Sequence, residues 1–215
     1  AAGPDYENSS LRTSNSAFTA GDDITITVIL MDANENPVTG AEGLLTNETV
    51  KVPGATRKGT VWTDKGDGTY RAEWEAEQAG NGYKATLHLA GWGDEEMQSA
   101  PYNIQPGEPT EAQSHISTDG TIFTNGDAIP VTVTLKDAWG NHIPGQASYL
   151  STHVVAAHTV PQPTQWQENS DGTYSAQFIA GEPGTGLQVT LNQDSGWKVA
   201  ATYSIIAGEP AINNS

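Results

Sequence analysis

The sequence predicts an all-β protein of two tandem β-sandwich domains that together form an extended rod, and three observations carry that expectation. First, the chain repeats itself. Phe18-Thr19-Ala20-Gly21-Asp22 returns as Phe123-Thr124-Asn125-Gly126-Asp127, and Asp67-Gly68-Thr69-Tyr70 returns as Asp171-Gly172-Thr173-Tyr174. Gly91-Trp92 returns as Gly196-Trp197, and Tyr102-Asn103-Ile104 as Tyr203-Ser204-Ile205. The offset stays between 101 and 105 residues, which is the size of a self-sufficient domain and too long for a solenoid repeat. Second, apolar residues alternate with period two. Third, turn signals separate the alternating runs, and none of the chain reads as an amphipathic helix.

Taken in order, strand A lies before Phe18. Strand B covers residues 24–31, where Ile24, Ile26, Val28 and Leu30 point one way. Strand C follows Gly40 and strand D lies near Trp62. Strand E follows the Asp67-Gly68 turn, with Tyr70, Ala72 and Trp74 alternating against Arg71 and Glu73. Strand F covers 82–89 and strand G 99–105. The second copy follows by the same offsets, with Ile129, Val131, Val133 and Leu135 as its B-strand row. About seven short antiparallel strands per copy, wet on one face and buried on the other, make an immunoglobulin-like sandwich. The expected boundaries are 1–106 for the first domain and 107–208 for the second, with 209–215 beginning a further linker. The prolines in 105–109 and 207–210 stiffen these short connections by fixing φ and removing a donor, and both ends of the chain read as cut at linkers.

Charge narrows the partners. There are 26 acidic residues against 9 basic ones, a net charge of -17. Residues 1–106 carry 16 acidic and 7 basic groups, and 107–215 carry 10 and 2, so both copies share the bias. Such a field repels phosphates and anionic headgroups, so nucleic acid is not an expected partner. There is no cysteine, which argues against a disulfide-stapled eukaryotic extracellular module. No run approaches 18 apolar residues, so this segment is not expected to be membrane-embedded.

Several runs then resemble a known family. Phe123 to Asp127, the alternating row up to Leu135, and the turn Asp137-Ala138-Trp139-Gly140-Asn141 up to Gly145 resemble the bacterial Ig-like domains of the intimin/invasin family, as 18–40 does more loosely. Trp166, Asp171-Gly172-Thr173-Tyr174, Ala180-Gly181 and Leu187-Gln188-Val189-Thr190-Leu191 are similar to the same family, and 62–87 nearly as well. The resemblance implies a stalk segment of an inverse autotransporter adhesin at the bacterial cell surface. An outer-membrane β-barrel outside this sequence would anchor it, and the stalk would space or present an adhesive tip for attachment to host cells or surfaces. It implies a host-cell surface protein or glycan as partner of the full-length protein and contact with neighbouring Ig-like domains; separately, the lack of a catalytic motif or ligand set leads to an expectation of no enzymatic activity and no cofactor. Two departures matter. Glu35 stands where the family turn has Gly, leaving that turn open to differ, and the family's C-terminal lectin-like cap with its cysteine pair is absent, so receptor-binding residues do not carry over. Asp67 to Trp74, Gly82-Tyr83 and Pro101-Tyr102 also resemble filamin-type scaffold repeats, which share the fold.

Candidate chemistry is sparse. Asp22, Asp23 and Asp127 are oxygen donors that a calcium ion would accept, but Gly-Asp equally serves as a plain turn, and the Asp-x-Asp-x-Asp spacing of a calcium loop is missing. No metal is expected. His153 and His158 lack a third ligand nearby in sequence, and no Gly-x-Ser-x-Gly elbow supports a catalytic serine. Trp74 and Phe178 share a core strand position, and Trp62 and Trp166 match across the copies, which favours a common structural role. Trp92 and Trp197, in the F–G turn, suit either a structural cap or a sugar platform. Trp139 is unmatched, with Asn34 at its place in the first copy. Trp139, Trp197 and Trp92 are therefore the candidates for binding or inter-domain contact. Trp139 and Trp197 are expected at the pole where the chain enters the second domain, beside 105–109. A carbohydrate- or protein-binding module using exposed Trp is the alternative function.

Overall fold

Where apolar residues alternate, the chain pairs. A computed structural model of the protein describes residues 2–160 and 165–209, which divide into two compact units, Ala1–Gly107 and Glu108–Ser215. The first contains β1 (Ser10–Thr13), β2 (Ala17–Thr19), β3 (Asp23–Ile29), β4 (Val50–Lys51), β5 (Ala55–Asp64), β6 (Thr69–Ala76), β7 (Gly80–Tyr83), β8 (Thr86–Leu87), β9 (Met97–Gln98) and β10 (Tyr102–Gln105). The second contains β11 (His115–Thr118), β12 (Ile122–Thr124), β13 (Ala128–Thr134), helix α1 (Ala147–His153), β14 (Val154–Ala156), β15 (Gln167–Glu168), β16 (Thr173–Ile179), β17 (Gly184–Asn192) and β18 (Lys198–Ile206).

One sheet of the first unit has the order β1-β3-β6-β5, and its counterpart in the second is β11-β13-β16-β15. Register explains why. Ile24, Ile26 and Val28 stand opposite Trp74, Ala72 and Tyr70, while Ile129, Val131 and Val133 stand opposite Phe178, Ala176 and Tyr174. Every second residue thus meets an apolar partner on the same face, and a slip of one residue would expose the whole row. The facing sheets are β2-β10-β7 in the first unit and β12-β18-β17-β14 in the second.

Strand A is divided in both copies. β1 pairs antiparallel with β3, and after Ser14–Ser16 the chain crosses to the other sheet, where β2 pairs parallel with β10. The second unit repeats this with β11 and β12. Phe18, expected just beyond strand A, therefore lies within β2 and is buried in the core.

Two tyrosines lock each sandwich at fixed points. The Tyr70 hydroxyl donates to the Val38 carbonyl at 2.7 Å and accepts the Ala41 N–H at 3.0 Å. Tyr174 does the same with Ile143 at 2.6 Å and Gln146 at 3.1 Å. Tyr102 donates to the Pro53 carbonyl and Tyr203 to that of Ala157. Burial pushes the Tyr203 phenol up to about 12, so it remains a donor at any physiological pH.

The B–C turn is built alike in both units, although Glu35 left it open to differ. Glu35 adopts a left-handed φ of 62°, where Gly140 has 84°. A side chain in this region is strained by about 1–2 kcal/mol, partly offset by the lower unfolded-state entropy of a non-glycine residue. Glu35→Gly is therefore expected to stabilise the first unit by about 0.5–1 kcal/mol, read as a rise of its thermal midpoint. A lowered midpoint would show that the Glu35 side chain contributes more than its backbone costs.

Three expectations are corrected. The region after Gly145 is the seven-residue helix α1, where a strand and no helix were expected; its first-unit counterpart is a short 3₁₀ turn, Glu42–Leu44. The helix forms because it buries Leu150 completely and stacks Tyr149 on His153 at 3.7 Å, one turn apart. Strand F of the first unit, expected as one run over 82–89, is broken into β7 and β8; β8 instead joins β4 and β9 in a small third sheet. Strand G, expected over 99–105, is confined to β10 (Tyr102–Gln105), since Pro101 before it cannot donate to a ladder. In the second unit β17 and β18 run unbroken for nine residues each.

Candidate interaction site

Trp139 is held by a buried carboxylate. Asp137, fully buried, accepts the backbone N–H of Trp139 at 3.0 Å and of Asn141 at 2.9 Å through Oδ1, while its Oδ2 accepts the Asn141 side-chain amide at 2.8 Å. The Gly140 N–H closes the turn on the Asp137 carbonyl, and the Ile143 N–H returns the chain to Leu135. An Asp at the start of a turn does this because its short side chain mimics a backbone acceptor. The turn leaves Trp139 40% exposed at its tip. In the first unit Asp32 binds the N–H groups of Asn34 and Asn36 at 2.9 Å each. Those bonds, first the Asn36 N–H, then its side chain, then Asn34, hold the Asp32 carboxyl below its usual range. Asn34 occupies the tip there, so the scaffold is common and the indole belongs to the second unit alone.

The other two candidate tryptophans are placed differently. Trp92 is buried, its indole N–H donates to the Pro4 carbonyl at 3.0 Å, and Tyr6 meets its ring edge-on at 5.4 Å. It closes the first unit over its own N-terminal segment, with no open ring face for a sugar. Trp197 is half-buried and packs on the second core at the end of the 193–197 turn. Among the described residues of the second unit, no ring contact links Trp139 to Trp197.

The carboxylates weighed for calcium have local tasks. Asp22 Oδ2 accepts the Thr19 N–H at 2.7 Å, Asp127 Oδ2 accepts that of Thr124 at 2.8 Å, and Asp23 binds Lys58 Nζ at 2.6 Å. His153 faces Tyr149 and reaches Asp194 at 3.2 Å, while His158 lies against the Glu182 carbonyl.

Sequence reasoning missed Arg57. Trp62 and Trp166 are buried and meet Trp74 and Phe178 edge-on at 5.6 and 6.4 Å. In the first unit only, a guanidinium joins this pair, with Arg57 Cζ 5.6 Å from the Trp62 ring and 5.5 Å from that of Trp74. The signal was a basic residue on strand D, five positions before a tryptophan, but nothing local says that both rings would meet it.

Residues 110–206 match the family "Invasin, domain 3". The second unit is an Ig-like domain of the intimin/invasin family. The likeness extends beyond it. Over 168 residues, 78% of its length, the chain is 30% identical to the inverse autotransporter adhesin YeeJ of Escherichia coli (strain K12), and it spans 7% of that protein. The solved structure of FdeC, an Escherichia coli adhesin, is 27% identical with a TM-score of 0.59, covering 97% of this chain and 67% of that one. Invasin, a bacterial integrin-binding protein, shares the fold at 18% identity and a TM-score of 0.58, covering 96% of this chain and 41% of its own.

Proposed function

We propose that this chain is a stalk segment of a bacterial outer-membrane adhesin, in which successive Ig-like domains space or present an adhesive tip for attachment to host cells or surfaces. The observation that carries this reading is the match to an inverse autotransporter adhesin across 78% of the chain but only 7% of the relative, combined with the internal repeat. A copied sandwich whose tyrosines, carboxylates and most tryptophans serve its own turns and core suits a spacer better than a catalyst. The anchor in this reading is a barrel elsewhere in the full-length protein, and the host partner is a surface protein or glycan met by that protein. The test is an in-frame deletion of 1–208 from the full-length gene, with surface display and attachment to epithelial cells measured side by side. Retained display with reduced attachment supports the reading; unchanged attachment overturns it.

Trp139 favours a second role for the same segment. An indole 40% exposed on a rigid turn is suited to contact with a protein or glycan, since tryptophan supplies large contact area at low entropic cost.

A further inference from the structure

Arg57 is a cation with incomplete compensation. In a chain of net charge -17 it forms no salt bridge among the described residues. Nη1 donates to Asn47 Oδ1 at 2.9 Å and Nη2 to the Thr60 carbonyl at 3.1 Å, whereas Nε is buried with no acceptor. Its charge is met by two neutral oxygens and two indole faces, a weaker arrangement than a paired carboxylate. Burial pushes its pKa below the usual value, yet a guanidinium stays charged at any physiological pH.

Beside it opens a cleft of about 410 Å³, between residues 47–53 and the start of β5, within the range of small-ligand sites. Its lining includes exposed Pro53, the buried apolar side chains of Val50, Val52 and Trp74 behind it, and the cations Lys51 and Arg57. No carboxylate lines it, although acidic residues outnumber basic ones almost threefold in the chain. Lys51 Nζ is tied to the Asn47 carbonyl at 2.8 Å and only loosely to the exposed Glu48 at 3.5 Å.

The geometry points to a binding site for a carboxylated sugar, with Arg57 and Lys51 opposite its carboxylate and the exposed Pro53 face against its ring. An anion with an apolar body satisfies both halves of this lining, whereas a phosphate or a purely apolar group satisfies one. The second unit holds its own control, because residues 157–167 before and around Trp166 contain no Lys or Arg. The glycan source of the carboxylate rests on the adhesive reading above; the cleft chemistry does not.

The experiment is a titration of the ¹⁵N-labelled 215-residue chain with methyl glucuronide and methyl N-acetylneuraminide, representing the two sources, with methyl glucoside as the uncharged control. Saturable shifts of the Trp62 and Trp74 indole N–H signals are expected with at least one acid, with the Trp166 signal unmoved. Lys51→Gln, an exposed change, is expected to weaken binding several-fold, and Arg57→Lys about tenfold through loss of the planar fork. If Arg57→Lys loses spectral dispersion, Lys51→Gln alone decides. No saturable shift with either acid, equal shifts with the glucoside, or an unaffected Lys51→Gln would each overturn the site. Such a failure would leave the adhesive reading intact, because the deletion assay does not depend on this cleft.

Discussion

Trp74→Ala is expected to destabilise the first unit by about 3–5 kcal/mol, the usual cost of deleting a large buried aromatic. Trp74 is 4% exposed, stands opposite Ile24 in the β3–β6 ladder, meets Trp62 edge-on and lies under Arg57. Removing it opens a cavity and also takes away one of the two ring faces that partner the half-buried guanidinium. Because a domain of this size is stable by only about 5–15 kcal/mol, the loss should bring the first unit close to unfolding at ambient temperature. The two hydrophobic cores share no residue, so the second unit should melt as before. Calorimetry of wild type and variant resolves this as one transition displaced downward and one unmoved. A single transition that moves as a whole would show the two cores folding as one cooperative body, against the expected division near residue 106. Arg57→Leu in the Trp74→Ala background separates the cavity from the orphaned charge, since it removes the cation without refilling the space.

The same region shows what the sequence could and could not announce. Rows such as Ile24-Ile26-Val28 and Tyr70-Ala72-Trp74 were legible because each strand has one dry face, which imposes a period of two regardless of partner. The fold followed from counting such rows and the turns between them, and the residue order of the turns pointed to the family. Interruptions were not legible. The break of strand F between Tyr83 and Thr86 depends on a swap of partners, β10 for β7 and β9 for β8, and no local pattern encodes the choice of a neighbour. Helix α1 escaped because seven residues make fewer than two turns, too short for a 3.6-residue period to stand out; one buried Leu150 and one Tyr149–His153 stack carry it. Arg57 escaped for a different reason. Its role depends on Trp62 and Trp74 lying on neighbouring strands in a register that shifts between Lys58 and Thr63, which is a tertiary fact. Trp139 was legible as the odd member of a matched set, whereas the sequence alone could not tell that Trp92 would close over Pro4 and Tyr6.

Asp137→Ala is expected to cost the second unit about 2–4 kcal/mol, because it leaves part-buried N–H groups without their acceptor. The fully buried carboxylate receives the Trp139 N–H, the Asn141 N–H and the Asn141 side-chain amide, so a methyl group there orphans donors that water reaches poorly. Asp137→Asn makes a sharper comparison. Its amide oxygen can still serve the two backbone N–H groups at the Oδ1 position, but its NH₂ would then face the Asn141 NH₂, a contact between two donors. It should therefore retain part of the stability that Asp137→Ala loses, with a midpoint between those of the alanine variant and the wild type. Equal losses for both would mean that the negative charge, and not the acceptor geometry, holds the turn. The consequence for function follows from the same bonds. The carboxylate fixes the peptide that carries Trp139, so weakening it should free the indole before the sandwich opens. Acrylamide quenching of a variant in which every other tryptophan is replaced by phenylalanine would be confounded by those core losses. Selective ¹⁹F labelling of tryptophan in the intact chain avoids this, with Trp139→Phe assigning the signal. Line narrowing of that one signal in Asp137→Asn, with the buried Trp166 signal unchanged, is the expected result; an unchanged Trp139 signal would show that the rest of the turn, from Gly140 to Ile143, holds the indole without the carboxylate.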